Sequence, residues 1–141
     1  MPANDPHLQI PPNCDLTLGM VCVDKSTPGV TTWEMKVAEK FANTAGAMQG
    51  GMIAAFADSA MGATAVTFLE GRKAFVANLE MKVSFLKPAR IGSTLTCVSR
   101  VVSGGSRVAF VEAEVTDSDG RLVAKASSTY LYTERPAPSA G

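Results

Sequence analysis

The sequence predicts an α+β domain in which an antiparallel sheet of about five to six strands wraps around one long central helix. Three observations lead there. The stretch Gly50–Leu69 is rich in Ala and Met and apolar on nearly every side, which marks a buried helix rather than a surface one. Runs before and after it alternate apolar and polar residues with period two, the pattern of strands with one buried face. Turn signals join these runs, at Thr27-Pro28-Gly29, Ser103–Ser106 and Asp117–Gly120, so successive strands form hairpins and an antiparallel sheet. Such a sheet must cover its apolar face, and the central helix is the segment that can do so.

Taken in order, residues 1–14 carry prolines and polar side chains and read as a tail or short cap. Leu16–Val23 and Val30–Val37 suit strands, with Trp33, Met35 and Val37 alternating with Glu34 and Lys36. The helix follows. After it, Leu79, Met81, Val83 and Phe85 alternate with Asn78, Glu80, Lys82 and Ser84, until Pro88-Ala89 and Gly92 break the run. A strand over Ser93–Val102 turns at the Gly104-Gly105 pair. Ala109, Val111, Ala113 and Val115 then alternate with Phe110, Glu112, Glu114 and Thr116, and a last strand spans Leu122–Tyr132. Residues 134–141, with Pro136 and Pro138, read as a disordered tail. The whole chain, 1–141, is expected to be a single domain without internal repeats.

Composition narrows the function. Of 141 residues, 46% are hydrophobic and 18% charged, and 13 Lys and Arg balance 13 Asp and Glu. A neutral chain argues against nucleic acid and against a polybasic membrane anchor. Asp58 in the middle of Gly50–Leu69, the many small residues there and the lack of a second hydrophobic segment argue against a membrane span. Met1–Pro12 holds no apolar core of a secretion signal. Cys14, Cys22 and Cys97 are odd in number and show no CxxC spacing, which suits reduced thiols in a cytoplasmic setting. The single histidine, His7, lies in the proline-flanked N-terminal stretch. A Ser-His-Asp or Cys-His pair would have to recruit it, and a metal site of several histidines cannot be assembled in one chain. No GxSxG, Walker A or GxGxxG motif occurs, and no cofactor is expected.

Two segments carry a resemblance. Asn43-Thr-Ala-Gly-Ala-Met-Gln-Gly-Gly51, followed by Ala57-Asp58-Ser59, resembles the motif of the PaaI-like acyl-CoA thioesterases of the hotdog-fold superfamily. There an Asn or Gln precedes a His-Gly-Gly, and an Asp or Glu follows. Asn78-Leu-Glu-Met-Lys-Val-Ser-Phe-Leu-Lys-Pro-Ala89 resembles the next strand of that family. The order of strands and helix is that of the hotdog fold, so the likeness covers nearly the whole chain. It implies hydrolysis of an acyl-CoA thioester to a carboxylic acid and CoA. CoA would enter as part of the substrate. It also implies a dimer whose sheets join, often paired into a homotetramer. The chain departs from the pattern in three places, one of them Asn78, at the strand position that often holds a Ser or Thr beside the carboxylate. The family's His is Gln49, which can donate a hydrogen bond but cannot transfer a proton at neutral pH. The Ser or Thr often found one turn after the carboxylate is Gly62, for which Ser59 or Thr64 is a candidate substitute.

The residues fit that chemistry. Asp58 is the only ionisable side chain between Lys40 and Glu70. In an apolar helix, desolvation favours the neutral form and makes the carboxylate more basic. It is then equipped to act as base or as nucleophile, and the sequence leaves both roles open. Gly50 and Gly51 begin the helix, where unpaired N–H groups and the positive end of the dipole favour an oxyanion. Asn43 is a candidate for a further donor, and the resemblance implies that Gln49 lies near the thioester and that Asn78 lies beside the carboxylate, where it is a candidate to hold a water. Gly50 and Asp58 are about 12 Å apart along a helix, so one site would combine Asp58 of one subunit with Asn43 and Gly50 of another. Lys87, Arg90 and Arg107 are candidates for the CoA phosphates. Ala54, Ala55, Met61 and Ala65 are candidates for an apolar pocket.

Blander readings stand beside these. Asp58 could be a structural acid, Gly50-Gly51 a turn, and Asn43 a loop residue bonded to its own backbone. The methionines and Trp33 suit a core, and the three basic residues a solvated surface. The functional alternatives are an acyl-CoA-binding module without turnover, or a thioester dehydratase. The dehydratase ranks last because such enzymes rely on a histidine that this helix region lacks.

Overall fold

The computed structural model describes residues 10–134. The expected tails lie outside the described residues except for residues 10–14 and Glu134. The elements are α1 (Asn13–Leu18), β1 (Val21–Thr27), β2 (Val30–Lys36), a 3₁₀ turn (Glu39–Phe41), α2 (Gly50–Thr67), β3 (Ala74–Phe85), β4 (Thr94–Gly104), β5 (Val108–Thr116) and β6 (Leu122–Glu134). The strands form one sheet in the order β1-β2-β4-β5-β6-β3, and every neighbouring pair is antiparallel. This is the hotdog arrangement, with α2 lying across the concave face against five of the strands and β1 touching it least.

The core is the seam between helix and sheet. Phe56, Ala57, Ala60, Met61 and Ala65 of α2 are fully buried, as are Leu95, Val111, Val115 and Val123 of the sheet. The alternation in β2, β4, β5 and β6 aims these side chains inward. One buried polar chain crosses the seam. Trp33 Nε1 donates to Thr31 Oγ1 at 2.9 Å, and Thr31 and Thr64 share a hydroxyl bond of 2.7 Å. Thr64 Oγ1 in turn donates to Ala60 O at 2.8 Å. Trp33 is partly buried and packs against the core. Among the described residues no helix is long and apolar enough to cross a membrane.

Two expectations are corrected. Leu16–Leu18 belong to helix α1, not to the first strand. Gly19 at φ 72 adopts the left-handed conformation that ends a helix, with its N–H returning to Leu16 O at 3.1 Å. Only after it does the chain extend into β1. The third strand begins at Ala74, and its alternation breaks at Leu79. Asn78 pairs with Tyr130 and Glu80 with Thr129, so Leu79 is the extra residue of a β-bulge. The bulge resets the parity. Asn78 lies on the helix-facing side together with Met81 and Val83, while Leu79 is 58% exposed.

Candidate active site

Asp58 lies midway along α2 and is exposed, as are Gly51 and Val66. Its Oδ1 accepts two hydrogen bonds. Tyr130 OH donates at 2.7 Å, and Asn78 Nδ2 donates at 2.9 Å. The Asn78 amide also reaches Ser128 Oγ at 3.3 Å, and the Tyr130 hydroxyl lies 3.0 Å from Asp58 O. Asn78 and Asp58, paired from sequence, are therefore together, in direct contact and with no water between. Burial, and then the neighbouring Asp58 carboxylate, push the Tyr130 phenol well above its ordinary range, and the Ser128 hydroxyl pulls partly the other way. Tyr130 thus stays a neutral donor at any pH where a protein works.

Tyr130 and Ser128 were not singled out from the sequence. A signal was available. Period two on β6 puts Ser128, Tyr130 and Tyr132 on one face, and all three are buried. A buried strand face with three hydroxyls needs polar partners. The helix supplies them: Tyr132 OH donates to Ala65 O at 2.6 Å, two turns beyond Asp58.

The other half of the candidate site is the start of α2. Gln49 is its N-cap, exposed and without a side-chain capping bond. Its backbone is held firmly, N–H to Phe41 O at 2.8 Å and C=O accepting from Met52 N at 2.9 Å. Gly50 and Gly51 supply the first N–H groups of the helix, which have no acceptor within it. The Phe85 ring leans on Gly50, 3.2 Å from where a Cβ would stand. Asn43 Oδ1 accepts from Ala45 N at 2.9 Å and Ala47 N at 3.2 Å, so the blander loop role is real. That pinning orients the Asn43 amide, and among the described residues no hydrogen bond engages its Nδ2.

Other expected site residues lie elsewhere. Met61 is fully buried in the core and offers no surface to a ligand. The Ser59 hydroxyl turns to Asp15, whose carboxyl burial pushes upward while Ser59 pulls it back. Thr64 faces the core, so neither residue supplies the hydroxyl near Asp58. Lys87 and Arg90 are exposed near the start of α2, where Ala47 bridges to Arg90 and Met48 N bonds Ala89 O. Arg107 sits at the other end of α2, in the hairpin that Arg72 grips through Ser106 O and Phe68 approaches at Gly104. In one chain it cannot share a phosphate with Lys87 and Arg90. Burial pushes the Cys97 thiol up to about 12, far from a nucleophile's range. Among the described residues, no three His, Cys, Asp or Glu side chains gather as a metal would require.

The Thioesterase superfamily model matches residues 45–124. The chain is 27% identical over 118 residues to human acyl-coenzyme A thioesterase 13, covering 83% of each chain. Among solved structures it resembles the PaaI protein of the E. coli phenylacetic acid degradation operon, with TM-score 0.81 and 20% identity over 86% of this chain and 85% of that one. It also resembles a Streptococcus mutans protein bound to acetyl CoA, with TM-score 0.76 and 24% identity over 84% of this chain and 91% of that one. The matched segment holds Gln49, Gly50, Gly51, Asp58 and Asn78, and leaves Asn43 and most of β6, with Ser128 and Tyr130, outside it.

Proposed function

The chain belongs to the thioesterase superfamily, and we propose that it hydrolyses an acyl-CoA thioester to a carboxylic acid and free CoA, with Asp58 as its working carboxylate. One observation carries this reading. Asp58 is held through Oδ1 by Tyr130 and Asn78, while among the described residues no hydrogen bond reaches Oδ2. An acid fixed on one side and open on the other is a poised base or nucleophile. As base, it takes a proton from water as the water oxygen adds to the acyl carbon. The C–S bond then breaks, and the departing thiolate receives the proton. As nucleophile, its oxygen bonds to the acyl carbon while the C–S bond breaks and CoA leaves as the thiolate. Water then cleaves the acyl anhydride to the carboxylic acid and the regenerated carboxylate, and the proton water gives up goes to the thiolate. In both cases charge gathers on the thioester oxygen, which the N–H groups of Gly50 and Gly51 and the Nδ2 of Asn43 are suited to bind.

The two halves are separated by about 12 Å of helix. The complete site therefore uses Asp58 of one subunit and the α2 start of another, in a homodimer that pairs further into a dimer of dimers. Support comes from β3, an edge strand with Phe75, Leu79 and Phe85 exposed. An edge of that length and composition calls for a partner strand. A second copy would also desolvate Asp58, which one chain leaves exposed. The acyl-CoA class is supported by the relative named for that activity and by the structural neighbour that holds acetyl CoA. Lys87 and Arg90, at the start of α2, suit the CoA phosphates. We place the protein in the cytoplasm, where CoA esters and reduced thiols such as Cys97 coexist. The second reading, a binding module without turnover, rests on Gln49 alone.

Thiol release from a panel of acyl-CoAs, with wild type beside Asp58→Asn, tests the proposal. Turnover that falls by about a hundredfold or more in the variant is expected. Acyl-CoA binding without thiol release from any substrate would favour the binding module instead.

A further inference from the structure

We propose that Tyr130 is a positioning residue for Asp58, reaching across from the sheet to hold Oδ1 so that Oδ2 is the oxygen that reacts. This rests on the reading of Asp58 given above and adds to it which oxygen works and what orients it.

Tyr130 is 2% exposed and stands on β6, which contributes no other group to the carboxylate except through Ser128. Its hydroxyl has one proton and two acceptors within reach, Asp58 Oδ1 at 2.7 Å and Asp58 O at 3.0 Å. The proton goes to the shorter contact and the charged acceptor. Asn78, brought to the inner face by the Leu79 bulge, supplies the second donor to the same oxygen. Two donors from two strands, plus the covalent tether to the helix, leave the carboxylate one orientation. The raised pKa of the phenol keeps it protonated as a donor.

Position 62 has room for a second donor beside this arrangement. It lies one turn after Asp58, and a Cβ there would stand 3.7 Å from Tyr130 Cε1 and 4.0 Å from its hydroxyl. Both are ordinary contact distances, so a small side chain fits here beside the phenol. A hydroxyl that the helix itself could have offered to Asp58 comes instead from the opposite strand.

Tyr130→Phe keeps the ring and deletes the hydroxyl. The expected result is a kcat lower by about tenfold or more, the scale of a hydrogen bond to a charged group, with KM changed less than about twofold. In the Asp58→Asn background the same change should have no further effect, because the two residues act as one unit. Adding Gly62→Ser to Tyr130→Phe should recover part of the lost kcat, since a serine one turn on can reach the same oxygen. A melting temperature measured for each variant separates loss of packing from loss of orientation. An unchanged kcat in Tyr130→Phe overturns the inference, as does an equal loss in the Asp58→Asn background. The Asp58 ¹³Cγ resonance gives a readout that needs no turnover. It should move in Tyr130→Phe, and an unmoved resonance would also overturn the inference. If the resonance moves but wild type releases no thiol, the hydrolase reading fails while the hold of Tyr130 on Asp58 stands.

Discussion

Replacing Gly50 by proline removes one N–H from the proposed oxyanion site with little harm to the helix. Gly50 is the first residue of α2, and Gln49 before it sits at φ −58, ψ 131, the extended conformation that a residue preceding proline needs. Proline is at home in the first helical position, where its absent N–H breaks no internal bond. The added ring meets Phe85, 3.2 Å from the new Cβ, but that side chain is 54% exposed and free to turn aside. The fold should therefore survive, with a melting temperature changed by only a few degrees. Losing one oxyanion donor should lower kcat by about 10²–10³, or ~2.7–4 kcal/mol. The shared site adds a sharper test. Gly50→Pro and Asp58→Asn chains are co-expressed under two affinity tags and the pool is assayed for thiol release. Random pairing makes about half the dimers mixed, and one of the two sites in each mixed dimer is intact, so the pool should reach about a quarter of wild-type turnover. A pool no more active than the mean of the two variants refutes a site built across subunits. Full activity of Gly50→Pro alone refutes the Gly50 N–H as an oxyanion donor.

Two further outcomes are expected. The Gln49 side chain is exposed and caps nothing, so Gln49→His should leave the backbone in place and put a proton-transfer group beside the oxyanion site. A gain in turnover of about tenfold or more near neutral pH is expected, and no change would mean that position 49 is remote from the chemistry. Asp15 is buried against Ser59, among the described residues its Oδ1 has no partner, and burial raises its pKa in the folded state. A raised carboxyl pKa means that the folded chain binds the proton more tightly. Its stabilising contribution is complete below the unfolded value and is lost as pH rises through the folded one. Asp15→Asn should thus raise the melting temperature by about 2–4 °C at pH 7 and by nothing near about pH 3, where both forms are neutral. Equal gains at both pH values would show that charge burial is not the cause.

Much of the architecture is legible in the sequence because it is written in local periods. The alternation in β2, β4 and β5 and the largely apolar run of α2 each show in a single window. What escapes is set by pairing. A bulge is a property of two strands, so Leu79 reads as an inward residue until its position opposite β6 is known. The stop at Gly19 likewise depends on backbone conformation rather than on the apolar content of Leu16–Leu18. The site divides in the same way. Asp58 stands out as a lone charge in an apolar helix, and Asn43, Gln49 and Gly50 lie close to it in sequence. Tyr130 is 72 residues from Asp58, and only the stacking of β6 against α2 joins them. Met61 was expected at a ligand because composition cannot tell which side of a helix meets the sheet. Arg107 was expected beside Lys87 and Arg90 because nothing local tells which end of the helix a hairpin reaches.

The apolar character of α2 and the position of its one charge are parts of a single arrangement. The sheet buries one side of the helix through Phe56, Ala60, Met61 and Thr64, and stability comes from that side. The opposite stripe, which carries Asp58, has no large polar residue that water alone would favour, and Gly51, Asp58 and Val66 on it stay exposed. A lone chain therefore orients the carboxylate through Tyr130 and Asn78 but does not desolvate it, and it leaves the edge of β3 unpaired. In the proposed dimer, one act of association would pair that edge, cover the stripe and bring the N–H groups of a second α2 to the open oxygen of Asp58. Orientation would then belong to the fold of each chain and reactivity to their union. For that reason variants of Tyr130 and Gly50 should fail in different ways, the first within a subunit and the second across the interface, where it can be complemented.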